Sequence, residues 1–176
     1  MIEKFNYKKN IGITLPDGTV NGQGVGEISK MRYGIMPMSW NGCEIIALYN
    51  FLMISSEKII PLSEIAREIY PYGSICLGFF GTDPNKLIKF FRNHNVTVQH
   101  TRKFDVFEST FKGQKYGIVA FWNGVPMASS LHTVCIENKD GKIIVYNRSN
   151  RKNYPVPYDN LEDFCDKTHF IVGYFK

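Results

Sequence analysis

The apolar positions change period about halfway along the chain, and that change gives the first picture of the fold. In residues 43–55, Ile46, Leu48, Tyr49, Leu52 and Met53 fall near the spacing of a helix face. Residues 62–70, LSEIAREIY, repeat the pattern at Leu62, Ile65, Ala66 and Ile69. A third helix is expected to open at Asp83-Pro84, an N-cap acid followed by proline at the first helical position. It runs through Leu87, Ile88 and Phe91 and ends near Asn93 to Asn95. After about residue 96 the pattern becomes that of strands. Residues 96–102 alternate, and 116–122, 131–137, 142–147 and 170–175 are rich in β-branched and aromatic side chains. Only 106–112 and 161–167 read as helical in this half. Helices first and strands second predict an α+β domain, its helices packed on a mostly antiparallel sheet.

Residues 1–35, rich in glycine and turn residues (PDG, then NGQGVGE), read as an extended arm or hairpin rather than a helix. Gly22, Gly24 and Gly26 fit neither spacing of a phosphate-binding loop, and no helical pattern follows them directly. At 176 residues the chain is expected to form one domain, residues 1–176, able to bury a core without disulfide or metal staples. The 44% hydrophobic content agrees with this, and the 14% aromatic share predicts a core rich in Phe and Tyr. No apolar run is long enough for a membrane span. The first ten residues, MIEKFNYKKN, lack the apolar segment of a secretory signal. That reads as cytoplasmic, or as secreted if a leader was removed before this numbering. The net charge of +5 is spread out, and its densest run, NRSNRK (147–152), reads as solvated surface, so no nucleic-acid partner is expected.

The four cysteines, Cys43, Cys76, Cys135 and Cys165, form no CxxC pair, and neither a metal site nor a cofactor is expected. Cys43 differs from the rest by its place. It follows the turn-forming Asn41-Gly42 and begins the first helix, where unpaired backbone N–H groups and the helix dipole favour a thiolate. Its own backbone N–H would lie close to a carbonyl under attack, as an oxyanion donor. A nucleophilic thiol needs a base and a group to orient that base. His94, His100 and His169 have no evident orienting partner, whereas His132 opens the strand LHTVCIE, which turns at NKDG and returns as KIIVYN. With Lys139-Asp140 as the turn, His132 faces Asn147; with Asp140-Gly141, it faces Ser149 and Asn147 is diagonal on the same face. A three-residue loop turns Asn147 away.

The stretch NGCEIIALYNFL, with HTVCIEN and VYNRSN downstream, resembles the bacterial C-thirty-nine-like cysteine peptidases, papain-like enzymes related to the leader-processing domains of bacteriocin exporters. The resemblance covers about residues 35–150. It implies a papain-like fold, a peptide or protein substrate, and a triad of Cys43 as nucleophile, His132 as base and Asn147 as orienter. Asn147 stands where an Asp is commoner in the family. The family's glutamine a few residues before the cysteine is missing from MRYGIMPMSWNGC, leaving Asn41 and the Cys43 backbone as candidate oxyanion donors.

Trp40 and Gly78-Phe79-Phe80 are candidates for an apolar wall of the substrate cleft. The expected activity is peptide-bond hydrolysis through an acyl-thioester. The alternatives are a thiol acyltransferase of transglutaminase type, which shares that intermediate, and a weakened or inactive peptidase-like module that binds peptides.

Overall fold

The stretch with the least polar character is the one the fold buries most completely. The computed structural model describes residues 2–124 and 130–176. Its helices are α1 (Ile2–Asn10), α2 (Met38–Asn41), α3 (Cys43–Ile54), α4 (Leu62–Gly73), α5 (Leu87–Asn93) and α6 (Phe104–Phe111). A short ribbon of β1 (Arg32–Tyr33) and β2 (Met36–Pro37) precedes the main sheet. The sheet comprises β3 (Gln99–Thr101), β4 (Tyr116–Trp122), β5 (Leu131–Lys139), β6 (Lys142–Tyr146), β7 (Val156–Tyr158) and β8 (Phe170–Phe175). They lie in the order β3-β8-β4-β5-β6-β7, and every neighbouring pair is antiparallel. The architecture is α+β, as the pattern predicts. Among the described residues no helix is long and apolar enough to cross a membrane.

Helix α3 is apolar on all sides, and every residue from Cys43 to Leu52 is buried. Each of its large aliphatic side chains contributes about 1.5–3 kcal/mol by leaving water. Alternation along β4 and β5 divides the sheet into two faces. Ile118, Ala120 and Cys135 join α3, α4 and α5 in one core. Val119, Phe121, Val134 and Ile136 join the α6 phenylalanines with Leu161, Phe164 and Cys165 in the other. Cys135 is thus a core residue. Asp83 caps the turn before α5 by accepting from the Asn85 N–H at 2.9 Å, with Pro84 next to it, as the sequence leads one to expect.

Two local expectations are corrected, and one open register is decided. Residues 1–35 are not an extended arm, because they begin with α1. That helix carries no apolar stripe; its buried residues are Asn6 and Asn10, which donate to the carbonyls of Gly34 at 2.7 Å and Arg32 at 2.8 Å. Residues 161–167 form a single turn rather than a helix, closed by the Cys165 N–H on the Leu161 carbonyl at 2.9 Å. In the β5–β6 hairpin, Lys139 pairs with Lys142, so Asp140-Gly141 is the turn. Both residues have positive φ, 51° and 75°, which is what a type I′ turn requires and why Asp-Gly takes it in preference to Lys-Asp.

Candidate active site around Cys43

Cys43 reaches its position through a tightly built turn. Gly42 joins α2 to α3 where a Cβ would collide with the Met38 side chain, so only glycine lets the two helices follow so closely. Asn41 then fastens the turn to its surroundings, donating from Nδ2 to the Tyr33 carbonyl at 2.8 Å and to the Gly78 carbonyl. Both amide protons are used. Asn41 is therefore a clamp, and the expectation that it donates to an oxyanion fails for want of a free proton. The Cys43 backbone N–H lies in the first turn of α3, where no helical carbonyl accepts from it.

The thiol itself is buried, 6% exposed, and donates to Glu44 Oε2 at 3.3 Å. Glu44 is more deeply buried at 1%, and its Oε1 accepts from Thr133 Oγ1 at 3.2 Å. Burial first, and then the Glu44 charge, push the thiol well above its ordinary range; main-chain hydrogen bonds from Thr133 and Glu44 act the other way without prevailing. The helix-start position therefore does not by itself produce a thiolate, because desolvation outweighs the dipole. Burial likewise pushes Glu44 up to about 7, against hydrogen bonds from its own main chain, Cys43, Thr133 and the Thr82 main chain.

His132 lies on β5 opposite Phe121, the two rings edge to face with centroids 6.0 Å apart. Its Nε2 is 2.8 Å from the main-chain oxygen of Asn147, and burial pulls its pKa down to about 4. Asn147 follows the end of β6 with φ of 58°, in the left-handed region that asparagine tolerates. That conformation directs its side chain to Gln23: the Gln23 N–H donates to Oδ1 at 3.1 Å, and Nδ2 donates to Gln23 Oε1 at 2.9 Å. His132 and Asn147 thus meet, but through the asparagine's carbonyl. The expectation of a side-chain contact fails because Gln23 occupies the amide.

Cys43 and His132 approach through adjacent residues. The thiol sits at the main chain of Thr133, the next residue after His132, and its hydrogen-bond partner is Glu44 rather than the imidazole. Strand alternation points Thr133 toward α3 and the His132 ring toward the Phe121 side.

Trp40 and Phe80 are strongly exposed, at 64% and 63%, and Phe79 is partly so. Phe79 and Phe80 pack edge to face at 4.9 Å. Their loop is held to the Cys43 turn by the Asn41–Gly78 bond and by the Ile35 N–H on the Leu77 carbonyl at 3.0 Å. Gly78 has φ of 84° and lies against Gly34, where a side chain on either would strike backbone. Among the described residues, no three His, Cys, Asp or Glu side chains converge as a metal site.

Residues 1–35 and the position after Cys43 supply two further groups to the site, Gln23 and Glu44. Gln23 is hidden in NGQGVGE, 124 residues from Asn147, with no local sign of the contact. Glu44 stands next to the cysteine, and its signal in the sequence is an acid in the first turn of a mostly apolar helix.

No family model matches the sequence, and no curated protein matches it. Among solved structures the chain is similar to the Salmonella effector SpvD, in its G161 variant, with 10% sequence identity and a TM-score of 0.43. The match covers 98% of this chain and 90% of that chain, a likeness too distant to carry over residues or activity.

Proposed function

We propose that the chain is a single-unit thiol peptidase of papain-like arrangement, with Cys43 as nucleophile, His132 as the proton carrier and Asn147 as its orienter. The observation that supports this reading is the seat of a helix-start thiol against the Thr133 main chain, one residue along β5 from a histidine whose Nε2 is held at 2.8 Å by the Asn147 carbonyl. Attack by the Cys43 sulfur on a peptide carbonyl gives a tetrahedral oxyanion within reach of the first N–H groups of α3. His132, held through Nε2 by the Asn147 carbonyl, carries the proton released from the Cys43 thiol to the leaving amine, and water then releases the acyl group. Trp40, Phe79 and Phe80 supply an apolar surface for substrate side chains beside the turn.

A second reading, a peptide-binding module on the same surface, draws on the buried thiol pushed well above its ordinary range. Mass spectrometry after incubation with a mixed peptide library separates the two. The peptidase reading expects new peptide termini and an acyl adduct on Cys43, both lost in Cys43→Ala. Binding of intact peptides without adduct or cleavage refutes it. An adduct released faster by added amines than by water would assign the acyl group to transfer rather than hydrolysis.

A further inference from the structure

Glu44 is the one buried acid at the site, and the triad leaves it without a task. Its carboxylate is surrounded by donors: the Cys43 thiol at 3.3 Å, the Thr133 hydroxyl at 3.2 Å and the main chain of Thr82. That set calls for a group that only accepts, since the NH₂ of a glutamine would face a donor. The carboxylate also joins three parts of the fold: the start of α3, the loop that ends at Gly81-Thr82, and β5.

We propose that Glu44 is a catalytic residue that takes the Cys43 proton when the thiolate forms. The inference rests on the reading of Cys43 as the nucleophile. In this step the S–H bond breaks and an O–H bond forms at Oε2. The negative charge passes from carboxylate to sulfur, and no other reactant is needed.

Electrostatics favours this route over direct transfer to His132. Transfer within the Cys43–Glu44 pair moves one buried charge over a short distance and leaves the pair's net charge unchanged. Transfer to His132 adds a buried imidazolium while Glu44 remains charged, so three charges stand where one stood, and each carries a desolvation cost. His132 is already held neutral down to about 4, chiefly by burial. The Thr133 and Glu44 main chains, which hydrogen-bond the sulfur, then hold the thiolate. Among the described residues, Tyr33 from β1 also interacts with Glu44; its hydroxyl accepts from Thr82 Oγ1 at 2.8 Å. Burial raises the Tyr33 pKa, so its phenol stays neutral through the working range.

Cys43 alkylation across pH, followed by mass spectrometry, tests the proposal. The wild-type rate is expected to rise to an inflection near the Glu44 value of about 7, where the carboxylate becomes free to take the proton, although burial keeps most of the thiol protonated there. Glu44→Gln is expected to slow alkylation at neutral pH by about 10²-fold, the lower end of the range for a lost proton acceptor, and Glu44→Asp to recover part of it. Alkylation in Glu44→Gln that is as fast as wild type or faster overturns the proposal, because an acid that only repels the thiolate gives that result. If Glu44→Gln does not fold, the wild-type profile decides: a rate that rises only in the alkaline range, with no inflection near the Glu44 value of about 7, overturns it. Alkylation lost in His132→Ala but kept in Glu44→Gln overturns the Glu44 step and leaves the peptidase reading standing. A Cys43 that is never alkylated removes both.

Discussion

The two sides of the site are buried to nearly the same degree and differ in the company they keep. On the helix side, the Cys43 thiol meets an acid, Glu44, which adds its charge to the effect of burial. On the sheet side, the His132 ring meets the main-chain carbonyl of Asn147, whose own amide is tied to Gln23. Burial makes both reactive groups neutral. The helix side keeps a titratable acid, pushed up to about 7, that can receive a proton without a new buried charge. The sheet side offers hydrogen bonds from neutral amides, which fix geometry more than ionisation. The site thus divides its work: proton storage next to sulfur, and orientation next to imidazole.

The most drastic way to break this division is Cys43→Ala. It is expected to abolish both acyl-adduct formation and peptide cleavage, measured by mass spectrometry, while thermal unfolding stays near wild type. Removing the proton carrier by His132→Ala is expected to lower cleavage by about 10²–10⁴-fold, the range for a positioned acid–base group.

The two sides also predict opposite pH dependences of stability. Glu44 has a folded value of about 7 against an ordinary 4.5, so between these the folded state binds more protons, and stability falls as pH rises. His132 has a folded value of about 4 against an ordinary 6.5, so between these the unfolded state binds more protons, and stability falls as pH drops. The slopes oppose each other in the shared window. Relative to wild type, Glu44→Gln should make the protein lose stability on acidification through that window, and His132→Gln should make it gain. Urea unfolding at several pH values reads both signs, and equal slopes in the two variants would contradict the assignment.

How far this comparison could be read from sequence differs between its sides. Strands β4 and β8 keep the expected limits, β5 extends the expected strand by two residues, and α3 begins at Cys43 as expected; strong apolar patterns fix those elements. The α+β class follows from the same patterns. Helix α1 was illegible because its docking face is two asparagines bonded to backbone carbonyls, which leaves no apolar period to detect. Leu161, Phe164 and Cys165 have helical spacing and are buried, yet one turn suffices to bury them. At the site, the residue types were legible and the contacts were not. A left-handed φ at Asn147 exchanges side chain for carbonyl at His132, and nothing in VYNRSN announces that φ.

Smaller effects sharpen the orienting side. Gln23→Ala leaves Asn147 Nδ2 without its acceptor at 2.9 Å and the Ser39 carbonyl with only its Asn150 donor, so a loss of about 1–3 kcal/mol in unfolding free energy is expected. If Gln23 positions His132 through Asn147, the variant also weakens the imidazole's hydrogen bond, visible in its ring nitrogen NMR shifts. The smallest effect is expected from Thr133→Val, which deletes one 3.2 Å donor to Glu44. It should cost about 1 kcal/mol and raise the Glu44 value further, because the lost bond favoured the charged form.

The account stands on Cys43 being a nucleophile served by the acid beside it, and its iodoacetamide modification rate at neutral pH tests this most directly. Rates for each cysteine are followed by mass spectrometry in wild type, Glu44→Gln and His132→Ala. The account predicts that Cys43 reacts faster than Cys135 and Cys165, which are also buried, loses that advantage in Glu44→Gln and keeps it in His132→Ala. A Cys43 that reacts no faster than those two, at a rate indifferent to Glu44, would contradict it.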